Sequence, residues 1–212
     1  MSSLLSNSDS WLVNMDAGLV DGVVFLDLRK AFDTVDNEIL IKKLKIYRVQ
    51  NTALKWFISY LFDRKQFCKV GSAASSTKNI RCGGPQGSNL GPLSFLLHVN
   101  DLPNCLRHTS AKMYADDTNL TACSDDINNL QANLNSDLNN IIHQWIVANK
   151  LTLNVGKTEY MIIGTRQKLK KFSSKININI GGKNLTQVVS KKVLGIIIDG
   201  QLRWDEKNRQ HK

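Results

Sequence analysis

Cysteine is scarce, and its spacing is wrong for a metal knot or a disulfide framework. The 212 residues hold four, Cys68, Cys82, Cys105 and Cys123. None forms a Cys-x-x-Cys pair, and no histidine completes a zinc spacing beside them. They read as reduced, mostly buried thiols of an intracellular protein, nuclear or cytoplasmic. Long apolar runs are missing too. No stretch approaches the ~20 residues that span a bilayer, so no membrane partner is expected. Residues 1–20 lack the basic n-region of a secretory signal. Without secretion, Asn119-Leu120-Thr121 and Asn184-Leu185-Thr186 have no glycosylation meaning. Acids are the minority charge: 18 Asp and Glu stand against 28 Lys and Arg, a net +10. That excess favours polyanionic partners, chiefly nucleic acid. A basic protein with no such partner satisfies the same balance.

What is present is enough for one core, with 42% hydrophobic residues. The chain is organised around Tyr114-Ala115-Asp116-Asp117. Two adjacent carboxylates lie between Ala111-Lys112-Met113 and Thr118-Asn119-Leu120, which predicts two strands meeting at a tight turn with the acids at its tip. Carboxylates held that close repel, and one takes up a proton unless a cation sits between them. Oxygen ligands of this kind suit Mg²⁺. Asp125-Asp126, after Ser124, has the pattern of an ordinary helix start instead. A third acid ends the apolar run Val23-Val24-Phe25-Leu26-Asp27, which reads as a buried strand. A charge there is costly unless it is paired or ligates a metal, although capping the next turn is a second account of Asp27. Acids from two strands can hold two ions about 4 Å apart, a recurring arrangement for phosphoryl transfer.

Around these acids the pattern alternates helix and strand. Residues 1–8 are Ser-rich and expected to fray. Leu12, Met15 and Leu19 have helical spacing. Asp36 caps a helix with Ile39, Leu40, Leu44 and Tyr47 on its apolar face. A second helix covers 53–62, with Trp56 and Phe57 assigned to the core. Residues 67–70 and 79–82 read as a strand pair joined by a flexible linker. The loop 83–92 is Gly-rich, permitting close approach of another backbone, and Ser88 caps a helix over 90–102. The clearest helix spans 125–149, with Ile127, Leu130, Leu134, Leu138, Ile141 and Trp145 facing a sheet and an Asn-rich face in water. Strands follow at 159–163, 175–180, 185–189 and 193–198, with Gly181-Gly182 as a hairpin turn. Lys168, Lys170, Lys171 and Lys175 form a basic loop that suits a phosphate backbone and, equally, a solvated face.

Three of these stretches, taken together, resemble a reverse transcriptase. Phe25-Leu26-Asp27-Leu28-Arg29-Lys30-Ala31-Phe32-Asp33, Pro85-Gln86-Gly87-Ser88 and Tyr114-Ala115-Asp116-Asp117 match the family's A, B and C motifs in order. Residues 151–159 resemble motif D, and 193–199 the following primer-grip segment, in the style of non-LTR retrotransposon enzymes. The resemblance implies an α+β polymerase palm: an antiparallel sheet carrying the acids at one edge, with helices packed on one face. It implies an RNA-directed DNA polymerase using two Mg²⁺ or Mn²⁺ ions, an RNA template, a DNA or RNA primer and deoxynucleoside triphosphates. Asp27 and Asp116 would hold both ions, with Asp117 assisting or shaping the turn. Phe32 would crowd the sugar 2′-position, though a core phenylalanine is nearly as good an account of it. Pro85, Gln86 and Gly87 would form the nucleotide- and template-side loop. Lys157 would neutralise pyrophosphate or donate a proton.

This chain departs from the pattern at Gly84 and Asn89, where family members usually carry aliphatic residues. The expected organisation is a helical remnant of the fingers region over 1–20 and a palm over 21–212, with fingers and thumb incomplete. The missing polymerase segments or an endonuclease would lie on another chain or be lost. Two alternatives accompany this reading: a truncated, inactive nucleic-acid-binding remnant, and the palm of an intron maturase-type enzyme.

Overall fold

The computed structural model describes residues 2–84, 87–171 and 176–203. In chain order its elements are α1 (Ser2–Asp16), β1 (Val20–Leu26), α2 (Asn37–Ile46), α3 (Asn51–Leu61), β2 (Lys65–Gln66), β3 (Lys69–Val70), β4 (Ala73–Ala74), β5 (Lys78–Asn79) and α4 (Leu90–Val99). Then come β6 (Ser110–Tyr114), β7 (Asp117–Ser124), α5 (Ile127–Asp137), α6 (His143–Ala148), β8 (Glu159–Ile163) and α7 (Arg166–Lys171). The last are β9 (Asn179–Ile180), β10 (Lys183–Asn184), β11 (Thr186–Gln187), β12 (Ser190–Val193) and β13 (Ile196–Asp199). They form two compact units. One comprises Met1–Leu28, Leu102–Trp145 and Leu153–Lys212; the other comprises Arg29–Asp101 and Ile146–Thr152.

The first unit is built on a five-stranded sheet of order β11-β8-β1-β7-β6. All its pairings are antiparallel except β11 with β8. Every residue of β1 is buried, which its run of β-branched and aromatic side chains predicts for a central strand. The pleat sorts these residues between two faces. Gly22 leaves room for α5 on one face: a Cβ there would fall 2.6 Å from Leu134 Cδ1. On the other face, Val23, Phe25, Met161 and Ile163 pack with Trp11 of α1 and with Val193, Ile198 and Leu202. Asp21 points to this second face and is fully buried. Asn14 Nδ2 donates to its Oδ1 at 2.7 Å.

Several local expectations are corrected by the structure. Helix α1 begins at Ser2, so the Ser-rich start does not fray as an extended tail. The long helix after Asp126 is interrupted by one π turn at Leu138–Ile142. The extra residue moves the buried stripe from Ile141 to Ile142. Its Asn-rich face is not simply solvated. Asn135 and Asn139 donate to the carbonyls of Asn177 and Asn179, and accept from the amides of Asn179 and Gly181. These amides use side chains as the pairing edge that a strand would otherwise supply, and only Asn179–Ile180 of the expected 175–180 strand is regular, Lys175 lying outside the described residues. The expected single strand 193–198 is the β12–β13 hairpin, turned at Leu194 and Gly195, both at positive φ. Lys168, Lys170 and Lys171 sit on helix α7 rather than in a loop. All four cysteines are exposed, not buried.

In the second unit, Asp36 caps α2 as its pattern predicts, accepting from Ile39 N at 3.0 Å. Asn37, buried, donates to the Leu61 carbonyl and ties α2 to the end of α3. Lys43 is also buried; its ammonium donates to the His98 carbonyl and to Asp101. Burial, reinforced by the Lys43 charge, pushes the His98 imidazole down to about 4. The expected strand pair 67–70 with 79–82 resolves into two shorter pairs, β2 with β5 and β3 with β4. The supposed linker turns tightly at Gly71, φ +59, and folds back as β4. Of α3, only Leu61 is buried. Trp56 is 49% exposed, so its assignment to the core is wrong.

Candidate active site

The acids are brought together by strand register in the first unit. Leu26 pairs with Thr118 across β1 and β7. Extending that register by one residue sets Asp27 opposite Asp117. Strand alternation places both on the face of Phe25 and Asn119, away from α5. Backbone hydrogen bonds then fix Asp27: its amide donates to Thr158 Oγ1 at 3.2 Å, and its carbonyl accepts from Asn154 N at 2.8 Å. Thr158 is fully buried, and its hydroxyl donates to the Asn154 carbonyl at 3.0 Å. The 154–158 segment therefore clamps the end of β1.

The β6–β7 turn holds the acids as its pattern predicts, with one refinement. Tyr114 pairs with Asp117, so Ala115 and Asp116 are the two turn residues and Asp117 is the first residue of β7. Ala115 takes φ +54, a left-handed conformation that costs a Cβ-bearing residue about 1–2 kcal/mol. Asp116 is exposed at the turn. Asp27 and Asp117 line a cavity of about 210 Å³ together with Phe25, Asn119, Lys157, Glu159 and Lys191. Asp116 is not part of that lining.

The electrostatics of this cavity are those of crowded acids. Partial burial pushes the Asp117 carboxyl above its ordinary range, and the negative charges of Asp116 and Asp27 push it the same way. Lys191 opposes them. Its ammonium is paired with Glu159 and lies 5.8 Å from the centre of the Phe25 ring. Among the described residues no group of three or more His, Cys, Asp or Glu side chains is arranged to hold a metal ion. The donor chemistry nonetheless fits a hard divalent cation: the acids are oxygen-only and mutually repelling, and a cation between them would relieve the repulsion.

Of the remaining expected site residues among those described, one lines the same cavity and two belong to the second unit. Lys157 is exposed at the cavity. Phe32, in the second unit, is 37% exposed and leans on Phe95, ring centres 4.8 Å apart. Gly87 is exposed at φ +77. Pro85 and Gln86 lie outside the described residues. The structure adds Thr158, Glu159 and Lys191 to the site. Glu159 could have been found, because it pairs with Phe25 and alternation puts both on one face. Nothing in the local pattern of Ser190–Val193 marks Lys191.

The family model described as Reverse transcriptase (RNA-dependent DNA polymerase) matches residues 8–198. The probable RNA-directed DNA polymerase from transposon BS of Drosophila melanogaster is 34% identical over 198 residues, 85% of this chain and 20% of that protein. The RNA-directed DNA polymerase from mobile element jockey of Drosophila funebris is 28% identical over 199 residues, 86% of this chain and 20% of that protein. The chain thus spans about a fifth of the length of these curated relatives. In fold, it is similar to a telomerase from Candida tropicalis solved with a fragment of telomeric RNA. The TM-score is 0.60 at 10% identity, over 93% of this chain and 31% of that one.

Proposed function

The chain belongs to the reverse transcriptase family, and we propose that it supplies the catalytic palm of an RNA-directed DNA polymerase of the non-LTR retrotransposon kind. The observation that carries this reading is the placement of Asp27 and Asp117 on one face of the sheet, in one cavity, with Asp116 at the adjoining turn. Asp27, Asp116 and Asp117 are the residues that would hold two Mg²⁺ or Mn²⁺ ions. Bound there, such ions supply charge stabilisation for the attacking and leaving oxygens of nucleotidyl transfer.

This chain's own residues supply position and counter-charge. The Thr158 and Asn154 hydrogen bonds hold the Asp27 backbone at the strand end, so the position from which its carboxylate projects is fixed before any ligand arrives. Lys157, exposed at the cavity, is suited to a phosphate. Phe32, propped by Phe95 and half open, is suited to crowd a ribose 2′-hydroxyl, and Gly87 to let a strand or nucleotide approach closely. An RNA template, a primer and deoxynucleoside triphosphates are the substrates that complete the reading.

Calorimetric titration with Mn²⁺ tests the site. The unaltered chain should bind, and Asp27→Asn and Asp117→Asn should each weaken binding about ten-fold or more, the order expected from removing a charged ligand. Equal affinity in both variants would overturn the assignment.

A further inference from the structure

The second unit carries a surface that the acid site does not use. On α3, Trp56 and Tyr60 are one helical turn apart, and their rings stack at 5.3 Å between centres with planes 9° apart. Past the helix the chain turns extended at Phe62 and left-handed at Asp63, and this brings the Arg64 guanidinium to 6.0 Å from the centre of the Tyr60 ring. The order aromatic, aromatic, guanidinium at i, i+4 and i+8 is a ladder of flat groups along one side. Its outer member, Trp56, is half open to solvent. Tyr60 is fixed from below: its hydroxyl is hydrogen-bonded to Ser88 Oγ, and Ser88 in turn accepts from Leu90 N.

The ladder ends at a groove of about 650 Å³ lined by Arg64, Lys65, Arg81 and the 82–84 backbone, among others. Arg64 Nη1 is buried and has no hydrogen-bond partner among the described residues. A guanidinium N–H left unpaired is costly, and phosphate oxygens are the geometry it suits. Basic groups outnumber acids around it: the groove lining holds Arg64, Lys65 and Arg81 against one carboxylate, Asp33. Between residues 53 and 84 the chain carries Lys55, Arg64, Lys65, Lys69, Lys78 and Arg81 against one acid, Asp63.

We propose that Trp56, Tyr60 and Arg64 form a stacking platform for unpaired nucleotides of a single strand, with a base on the exposed face of Trp56 and the backbone phosphates directed to Arg64 and the basic groove. A sequence-tolerant single-strand site needs stacking faces beside a basic track, and both are present. A second protein surface fits less well, because such interfaces are depleted in lysine. The inference deepens the polymerase reading by naming a site on this chain for single-stranded template or product, and it rests on the chain being a nucleic-acid binder.

The test is fluorescence anisotropy of the full chain with labelled 12-mers: RNA, DNA, the same DNA made abasic, and a duplex. The unaltered chain should bind both single strands, and bind the abasic strand about ten-fold more weakly, since stacking on an aromatic contributes on that order. Trp56→Ala should lose about ten-fold on base-bearing single strands and nothing on the abasic strand, and Trp56→Phe should recover most of the loss. The comparison of strands on the unaltered chain needs no variant, so it stands even if one misfolds. Equal affinity of the unaltered chain for base-bearing and abasic strands overturns the platform while leaving backbone binding, and the polymerase reading, intact. A Trp56→Ala loss that is the same on abasic strand or duplex also overturns it. No binding to any strand overturns platform and polymerase reading together. A difference between the RNA and DNA arms tells template from product.

Discussion

The perturbation with the clearest sign is Asp21→Asn. Asp21 is fully buried under α1. One carboxyl oxygen accepts from Asn14, and the other has no partner among the described residues. Burial pushes its carboxyl from 3.8 up to about 7, the Asn14 hydrogen bond pulling only weakly the other way. Between pH 4 and 7 the folded chain therefore holds a proton that the unfolded chain has released. Stability falls as pH rises through this window and levels off above it. A shift of about 3 units corresponds to about 4 kcal/mol. His98 works against this slope. Its imidazole is held down near 4 from an ordinary 6.5, so between those values the unfolded chain binds the extra proton and stability rises with pH. The two effects nearly cancel from pH 4 to 6.5 if the chain unfolds in one step, and only the Asp21 decline remains up to pH 7.

Asp21→Asn removes one of the two slopes. The substitution keeps the acceptor for Asn14 but leaves amide hydrogens where Oδ2 stood, a pH-independent cost of about 1–3 kcal/mol. Urea unfolding followed by circular dichroism at half-unit steps from pH 4 to 8 should show the variant gaining on the unaltered chain by about 4 kcal/mol across the range. His98→Gln should do the reverse between pH 4 and 6.5. If the two units melt separately, the Asp21 difference appears only in the transition of the unit containing β1. A stability difference between Asp21→Asn and the unaltered chain that is constant with pH would refute the reasoning.

Three further outcomes are expected. Asp137, fully buried, accepts through one oxygen from the amides of Arg107, His108 and Thr109 and from the Thr109 hydroxyl; Asp137→Ala should cost about 3 kcal/mol or more in urea unfolding, since several donors are left unpaired at once. Gly83 sits at φ +74, and a Cβ there would come 2.8 Å from the Asp33 carbonyl oxygen; Gly83→Ala should cost at least about 2 kcal/mol by the same measurement, and unchanged stability would show that the loop gives way. Thr158→Val keeps the shape but removes the hydroxyl that accepts from Asp27 N; it should weaken Mn²⁺ binding in calorimetry by roughly three- to ten-fold through a misdirected Asp27.

The parts of the fold that a linear reading reached are those in which a few adjacent residues settle the matter. The apolar run 23–26 is a central buried strand because nothing polar interrupts it. Asp36 and Asp126 cap helices because a carboxylate beside free amides needs no distant partner. Gly181-Gly182 turns a two-residue hairpin because both positions require positive φ. Legibility fails where a distant segment supplies the partner. Asn135 and Asn139 look like solvent residues until the 177–181 backbone arrives to use them. Trp56 looks like core because tryptophan is highly buried on average, yet with Tyr60 stacked on it the residue is still 49% exposed.

The same division runs through the site. Asp27 and the Asp116-Asp117 pair announce themselves because isolated acids at the ends of apolar strands are expensive without a partner. That argument says acids belong together, but it does not say which of the pair faces Asp27. The choice depends on register: with Leu26 opposite Thr118, Asp117 is the residue on the Asp27 face, and a slip of one residue would have exchanged it for its neighbour. The counter-charge is less accessible still. Lys191 reaches Glu159 from a hairpin 32 positions away, and the packing of Val193 and Ile198 against Phe25 and Met161, with the Gly164 amide bonded to the Gly200 carbonyl, holds that hairpin over the sheet. A lysine drawn into an acid cavity by apolar neighbours carries no signature of its own, because the residues that place it are ordinary core. The acids of a site of this kind are legible from the chain, while the groups that set their charge become visible only once the sheet has closed.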